Sequence, residues 1–360
     1  MELENFPGLP PFPGNMLVMD LDRLSLAKLL DHDDEECRRF YLACEKIGFF
    51  YLDMRSQKDG QSILSYADKL FRVSEQLFSL KVEEKGKYDF SEKNSFFGYK
   101  PLGSYVIDSR GNTDREEFYD VSRDDLLGHA HALPQPEVVN EELEVFKSFA
   151  SSTHSVIVTP LLDLLNEHLQ LPPSTLANLH RIDRPSGDMV RLTRCPPQPV
   201  EDKAARLGEH TDFGSITVLF NRLGGLQVLV PGTDAQWKWI KPIPGHCIVN
   251  LGDTLVKFTN GLLRSNIHRV VASPGEQAEC IRYSLGYFSR PDHNAVLKRL
   301  DSPAIPALPA GIVEEDFTTR DWLVRRALSR RVNLRNGVSS SALDYAKHSG
   351  TEKISRRVKA

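Results

Sequence analysis

Residues 206–230 read RLGEHTDFGSITVLFNRLGGLQVLV, and the stretch continues through NLGDTLVKFTNGLLRSNIHRVV (250–271) to CIRYSLGYFSRP (280–291). GSITVLF is β-branched and apolar, bounded by Gly214 and by the Gly224-Gly225 turn, so it reads as a strand. On a strand, residues two apart point the same way. His210 and Asp212 are therefore expected to face one cavity together, which a helix would not give at that spacing. The same rule puts Arg282 and Ser284 on one face of CIRYSLGYF, and Phe288 beyond them on that face too. His268, in the strand-like run SNIHRVVAS, is expected to complete the set from across a barrel.

Two imidazoles and one carboxylate on one side of an iron leave three positions open, the arrangement used in Fe(II) oxygen chemistry. A bidentate 2-oxo acid and then O2 can take those positions. Arg282 offers a planar fork suited to the far carboxylate of such an acid, and Ser284 can add a hydroxyl donor. An H-x-D triplet alone says little, and the chain contains a second one, His32 and Asp34 in DHDDEE. That copy lies in a solvated acidic run without a strand pattern and reads as surface. The ordered set H-T-D-F-G, N-L-G-D-T-L, T-N-G-x-x-x-S-x-x-H-R-V and R-Y-S is far more specific.

From about Met16 to Pro291 the chain resembles the 2-oxoglutarate- and Fe(II)-dependent dioxygenases, in the branch with isopenicillin N synthase and the plant flavonoid and gibberellin oxidases. The resemblance implies an α+β fold with a mainly β core: a double-stranded β-helix (jelly roll) with flanking N-terminal and C-terminal helices. It implies His210, Asp212 and His268 as iron ligands and Arg282 and Ser284 as the 2-oxoglutarate anchor. It also implies oxidation of a small-molecule metabolite by O2, with 2-oxoglutarate decarboxylated to succinate and CO2. Hydroxylation, desaturation and ring rearrangement all remain open, and the sequence leans towards secondary metabolites or heterocycles.

One segment departs from the pattern. Many relatives read L-R-x-N-Y-Y-P-P where this chain has VRLTRCPPQP (190–199), so Thr193 and Cys195 replace the Asn and the final Tyr that help seat the 2-oxo acid. Both are candidate co-substrate contacts, Thr193 through its hydroxyl and Cys195 through a thiol that is only a weak donor. Cys195 reads as packed and inert, since no base adjoins it. Two alternatives stay open: a 2-oxoglutarate-independent Fe(II) oxidase of the same family, and a non-catalytic binding protein on the same barrel.

The substrate walls are drawn from aromatic residues. Phe213 borders Asp212, and Phe97 and Tyr105 lie in the loop SFFGYKPLGSYVIDSRGNTDREEF, whose length and lack of period suit an active-site border. Each of these, like Phe288, could instead pack the core. Phe49, Phe50 and Tyr51 read as core strand residues. His246, in the turn PGHC, is expected to face solvent and to be a poor fourth ligand. Asp253 and Asn260 are expected to order turns.

Composition bounds the rest. The 360 residues suffice for a large core, and a net charge of −4 suggests no nucleic-acid partner. Five cysteines, odd and sparse, fit a reducing compartment. No apolar run is long enough to span a membrane, and the acidic start MELEN is unlike a signal peptide. A cytoplasmic enzyme with no obligate protein partner is expected.

The chain divides into an N-terminal dioxygenase region (1–125), connecting helices (126–185), the Fe(II)/2-oxoglutarate core (186–291) and a C-terminal helical extension (292–360). After the proline-rich lead-in, NMLVMDLDRL reads as a short strand, and a helix then runs to Gly48 before FFYLD. Residues 59–89 read as helical, and Glu141–Leu171 as one long amphipathic helix stopped by Pro172-Pro173, with His154 and His168 set aside as structural. The segment Trp322–Arg331 is a candidate lid with solvated arginines, and the basic tail resembles no targeting signal.

Overall fold

In the computed structural model, residues 5–93, 95–105, 112–198, 205–232, 235–314 and 316–331 are described; side chains are described to residue 326. Twelve strands form among the described residues. They are β1 (Arg23–Ser25), β2 (Phe49–Asp53), β3 (Gly98–Lys100), β4 (Glu117–Ser122), β5 (Met189–Cys195) and β6 (Leu207–His210). The others are β7 (Ile216–Asn221), β8 (Leu226–Leu229), β9 (Trp237–Trp239), β10 (His246–Leu251), β11 (His268–Val270) and β12 (Arg282–Ser289). Eight make one sheet in the order β1-β2-β10-β7-β12-β5-β4-β3, and four make a smaller sheet in the order β6-β11-β8-β9. These two sheets are the jelly roll expected from the sequence.

The major sheet sorts its residues by parity. On one face Val190, Leu192, Val218, Phe220, Val249, Leu285 and Tyr287 are buried in one large core with the helices. The helix Lys58–Ser79 supplies Ile63, Ala67, Leu70, Phe71, Ser74, Leu77 and Phe78 at helical spacing to that layer. The helices Leu143–Thr153 and Thr159–His168 follow, joined through a π-helical turn at His154–Val158, so the expected long helix is continuous. Each fully buried Leu or Phe there contributes about 1.5–3 kcal/mol relative to exposure. The opposite face carries Arg191, Thr193, Thr217, Asn250, Arg282, Ser284 and Phe288, all of which line a cleft.

Local signals place the lead-in elements. Asp33 caps the helix Asp34–Lys46 by accepting from the Glu36 N–H at 2.9 Å. Gly48, at φ +71°, ends it and donates to the Ala43 carbonyl at 2.8 Å. His32 and Asp34 are exposed on this segment, as the surface reading required. The strand expected at NMLVMDLDRL is shorter: β1 begins at Arg23, and Val18 makes only an isolated bridge to Trp239.

Two further expectations change. His246 opens β10 with its side chain 4% exposed, 3.8 Å from the Asp53 carboxylate, rather than facing solvent. Burial lowers the pKa of its imidazole. Phe49, Phe50 and Tyr51 are buried strand residues as expected, with Phe50 on the helix side and Phe49 and Tyr51 in a second apolar cluster on the other face, where Phe49 also lines the cleft. In the helix Thr319–Arg331, Arg326 is buried, so that arginine is not solvated. The described residues between 292 and 318 of the expected helical extension form no helix, and residues 332–360, with the basic tail, and residues 106–111 of the aromatic loop lie outside the described residues.

Candidate active site

His210 and His268 meet because β6 and β11 are antiparallel neighbours in the smaller sheet, with these two residues directly paired. Their ring centroids are 4.2 Å apart. His268 thus comes from the adjacent strand, not from across the barrel. Asp212 is also placed differently from the expectation. β6 ends at His210, and Asp212 lies in the turn that carries the chain from the smaller sheet to β7 of the larger one. The H-x-D spacing therefore spans a crossover between sheets, and the shared direction of the two side chains comes from the turn.

That turn is held tightly. The Asp253 N–H donates to the Asp212 carbonyl at 2.8 Å, and the Gly252 N–H to the Ser215 carbonyl at 2.9 Å. A Cβ on Gly252 would collide with the Gly214 and Asp212 carbonyls, so only glycine allows this approach. Asp253 Oδ2 accepts from Thr211 Oγ1 at 3.1 Å and from Arg326 Nη2 at 3.0 Å, which ties the C-terminal helix to the same turn. The Trp322 indole N–H donates to the Phe213 carbonyl at 3.1 Å, and Leu323 lines the cleft. Asp253 does order a turn, as expected, and Asn260 donates to the Pro306 and Ala307 carbonyls.

The three side chains form the only His/Cys/Asp/Glu cluster among the described residues that could hold a metal, with donor atoms all within 4.8 Å of one another. Asp212 Oδ1 lies 3.9 Å from His210 Nε2 and 3.8 Å from His268 Nε2. The remaining polar atoms are already engaged. His210 Nδ1 faces the Gly208 carbonyl at 2.8 Å, and His268 Nδ1 the Asn266 carbonyl at 3.1 Å. With Nδ1 carrying the proton as donor, each Nε2 presents a lone pair to the shared centre. Asp212 Oδ2 accepts from Thr217 Oγ1 and Asn250 Nδ2, both at 2.7 Å, leaving Oδ1 free to turn inward. Burial pushes the Asp212 carboxyl up, but His268, His210 and the two hydrogen bonds outweigh it and hold it well below the usual carboxylate range. The edge of Phe49 packs on His268 with centroids 5.4 Å apart. This donor set of two imidazole nitrogens and a carboxylate oxygen suits Fe(II).

The cleft around the cluster encloses about 1430 Å³, its open mouth included. Arg282, 2% exposed, donates from Nε to the Gly224 carbonyl at 2.9 Å, and its Nη1 lies 3.5 Å from Ser284 Oγ. Thr193 pairs with Ser284 across β5 and β12 and also lines the cleft. Cys195 pairs with Arg282 but is fully buried and does not line the cleft. Burial raises the pKa of its thiol, although Arg282 and Arg206 beside it pull the other way. Phe97, Tyr105, Phe213 and Phe288 all border the cleft.

Several cleft residues escaped the sequence reading. Asn250 and Thr217 hold Asp212; Asn250 opens the motif N-L-G-D-T-L, but nothing local ties it to Asp212, and a lone Thr in a strand carries no signal. Arg191 makes a bidentate pair with Asp120 at 2.7 Å and stacks on Phe118 with its guanidinium carbon 3.8 Å from the ring centre. Period-2 alternation through VRLTRC could have placed Arg191 on the Thr193 face.

Comparison with known proteins agrees with this geometry. Residues 186–291 match the family model of the 2OG-Fe(II) oxygenase superfamily, and residues 18–142 match that of the non-haem dioxygenase in morphine synthesis N-terminal region. A 2-oxoglutarate-dependent dioxygenase of Aspergillus fumigatus is 35% identical over 87% of this chain and 86% of its own length. The Glarea lozoyensis 2-oxoglutarate-dependent dioxygenase gloE is 32% identical over 80% of this chain and 84% of its own. A full-length Neurospora crassa protein crystallised with alpha-KG and thymine has the same fold, with a TM-score of 0.71 at 24% identity, covering 88% of this chain and 98% of that one. The chain belongs to the 2OG-Fe(II) oxygenase superfamily, as a non-heme dioxygenase that requires Fe(II), 2-oxoglutarate and O2.

Proposed function

We propose that His210, Asp212 and His268 hold the Fe(II), that Arg282 and Ser284 with Thr193 anchor the far carboxylate of 2-oxoglutarate, and that Phe97, Tyr105, Phe213 and Phe288 wall a small-molecule substrate. The observation that carries this reading is the convergence of two Nε2 atoms and Oδ1 within 4.8 Å, in the same cleft as the Arg282–Ser284 pair. Once bound, iron with 2-oxoglutarate and O2 supplies the oxidising power, with succinate and CO2 formed as a substrate carbon is oxidised.

The residues of the chain do the positioning. Thr217 and Asn250 aim one oxygen of Asp212 inward, while the Gly208 and Asn266 carbonyls fix both imidazoles. Arg282 is itself braced by the Gly224 carbonyl, so its fork is oriented before any carboxylate arrives. Cys195 takes no direct part; it packs behind Arg282. Leu323 and Trp322, held through Arg326 and Asp253, cover one side of the cleft and exclude water there.

The substrate class is supported by the fungal relatives, named as dioxygenases of the same co-substrate, and by the thymine held by the Neurospora protein. A secondary metabolite or small heterocycle fits the aromatic walls. Residues 186–291 act as the catalytic core, 1–125 contribute to its sheet, 126–185 connect the two, and the helix Thr319–Arg331 of the C-terminal extension borders the cleft through Leu323. A cytoplasmic setting without an obligate partner completes the proposal, supported by five unpaired cysteines.

The test is anaerobic. Fe(II) is added to the apoprotein, 2-oxoglutarate is titrated, and the visible charge-transfer band of a chelated 2-oxo acid is followed. Wild type is expected to give the band, Arg282→Ala to weaken 2-oxoglutarate affinity, and His268→Ala to abolish the band. Stoichiometric iron without a band would favour the 2-oxoglutarate-independent oxidase, and no iron binding would refute the ligand set.

A further inference from the structure

Arg290 follows the end of β12, eight residues past Arg282, and both line the cleft. Eight residues of strand span roughly 26 Å between Cα atoms. No single 2-oxo acid of five carbons reaches both guanidinia. Arg290 therefore belongs to the substrate side, where its neighbours are Gly187, Gly214 and Met189.

Like the buried Arg206 and Arg282 it has no carboxylate partner among the described residues, and in this it differs from three arginines that do. Arg123 pairs with Asp188, Arg191 with Asp120 and Arg326 with Asp253. Arg290 is only 7% exposed, yet among the described residues its guanidinium makes no ion pair; its Nε has no hydrogen-bond partner and its Nη2 meets only Met189 Sδ at 3.9 Å. The nearby Asp188 cannot serve. Its oxygens already accept from Arg123, Tyr287 and Ser186, and Arg290 reaches it only through its backbone N–H, at 2.7 Å. A buried cation without a counter-ion is costly. Glycine at 187 and 214 leaves the side chain its space: a Cβ at Gly214 would fall 3.1 Å from Arg290 Cγ, and one at Gly187 would fall 3.4 Å from Arg290 Cδ.

We infer that Arg290 is a substrate-binding residue whose guanidinium receives the carboxylate of a small monocarboxylic acid, at the other end of the β12 face from the co-substrate anchor. A planar fork with free N–H groups matches one carboxylate in bidentate geometry. The aromatic rings of Phe213 and Phe288 and the apolar Leu323 and Met189 then suit a flat or alicyclic body behind that group. The inference rests on the assignment of Arg282 and Ser284 to 2-oxoglutarate.

The test uses the anaerobic Fe(II) enzyme saturated with 2-oxoglutarate. Phenylacetate, 3-phenylpropanoate and cyclohexanecarboxylate are each compared with their primary amides, and binding is read from the shift of the charge-transfer band. Wild type is expected to bind at least one acid about 10- to 100-fold more tightly than its amide. Arg290→Gln removes that margin while leaving amide and 2-oxoglutarate affinities unchanged, and Arg290→Lys keeps part of it. Acids and amides that bind alike to wild type, or equally fail to bind, overturn the inference. So does an Arg290→Gln variant that loses 2-oxoglutarate affinity instead. If Arg290→Gln does not fold, the acid–amide comparison in wild type and Arg290→Lys decides. Absence of the band in wild type refutes the co-substrate assignment itself, whereas a normal band without acid preference refutes only the role of Arg290.

Discussion

The two faces of the major sheet are built from the same strands but obey different rules. On the helix side, Leu285 and Tyr287 of β12 join Val190, Leu192 and Val218 in a core of apolar contacts. On the cleft side, Arg282, Ser284 and Phe288 of that same strand meet Arg191, Thr193, Thr217 and Asn250. The first face stabilises through area removed from water, which is non-directional and tolerates exchange of one apolar shape for another. The second places buried polar groups whose value depends on direction, and each must be matched by a partner or a ligand. Stability and chemistry are thereby separated by a single residue step along each strand.

Substitutions on each face sharpen the contrast. The largest loss of stability is expected from the helix side: Leu285→Ala removes a fully buried side chain and costs about 2–5 kcal/mol. Thermal unfolding should report it, while iron stoichiometry stays at one per chain below the melting transition. A variant that instead loses iron while keeping its melting temperature would break the division. On the cleft side, Asn250→Ala and Thr217→Val each free the outer oxygen of Asp212 and are expected to weaken iron affinity about 10- to 100-fold. Equilibrium titration with Fe(II) checks this, and little change in melting temperature should accompany it.

The smallest effect concerns pH, at a polar group buried beneath the helix-side layer. Burial holds the imidazole of His180 down to about 4, from an ordinary value of 6.5. It lies between the Leu176 carbonyl at 2.7 Å and Ser215 Oγ at 2.6 Å. The unfolded chain takes up a proton near pH 6.5, whereas the folded one does so only near 4. The folded state therefore has its full margin above pH 6.5 and loses it as the pH falls towards 4, by at most about 1.4 kcal/mol per pH unit. Melting temperatures of wild type and His180→Asn, compared from pH 7 to pH 5, should converge as the pH falls. Parallel curves would show that His180 already titrates in the folded state.

The sequence spoke most clearly where physical signals are local. Alternation along CIRYSLGYF put Arg282, Ser284 and Phe288 on one face, and the structure places them there. The helix read over 59–89 forms as Lys58–Ser79 with a short second helix Val82–Gly86, and the helix read from the acidic run at 31–36 to Gly48 forms as Asp34–Lys46, because such signals depend only on near neighbours. The His210–Asp212 pairing was reached from a strand argument that the structure replaces with a turn between sheets. The outcome agreed because the motif, rather than the periodicity, carried the information. Arg326 was read as solvated because nothing in a helix rich in arginine marks the one that meets Asp253, 73 residues earlier in the chain.

By itself, the sequence determined the fold class, the family and the chemical types gathered at the centre, since ordered motifs and alternating polarity are properties of the chain read in line. Only the tertiary structure decided which atoms those residues present to one another. The pairing of β6 with β11 brought His210 to His268, and β7 and β10 together oriented Asp212. The burial of the Arg290 guanidinium without an ion pair among the described residues was decided at the same level. Hydrogen-bond direction and the dielectric around a charge depend on neighbours distant in sequence, and those neighbours exist only once the sheets have closed.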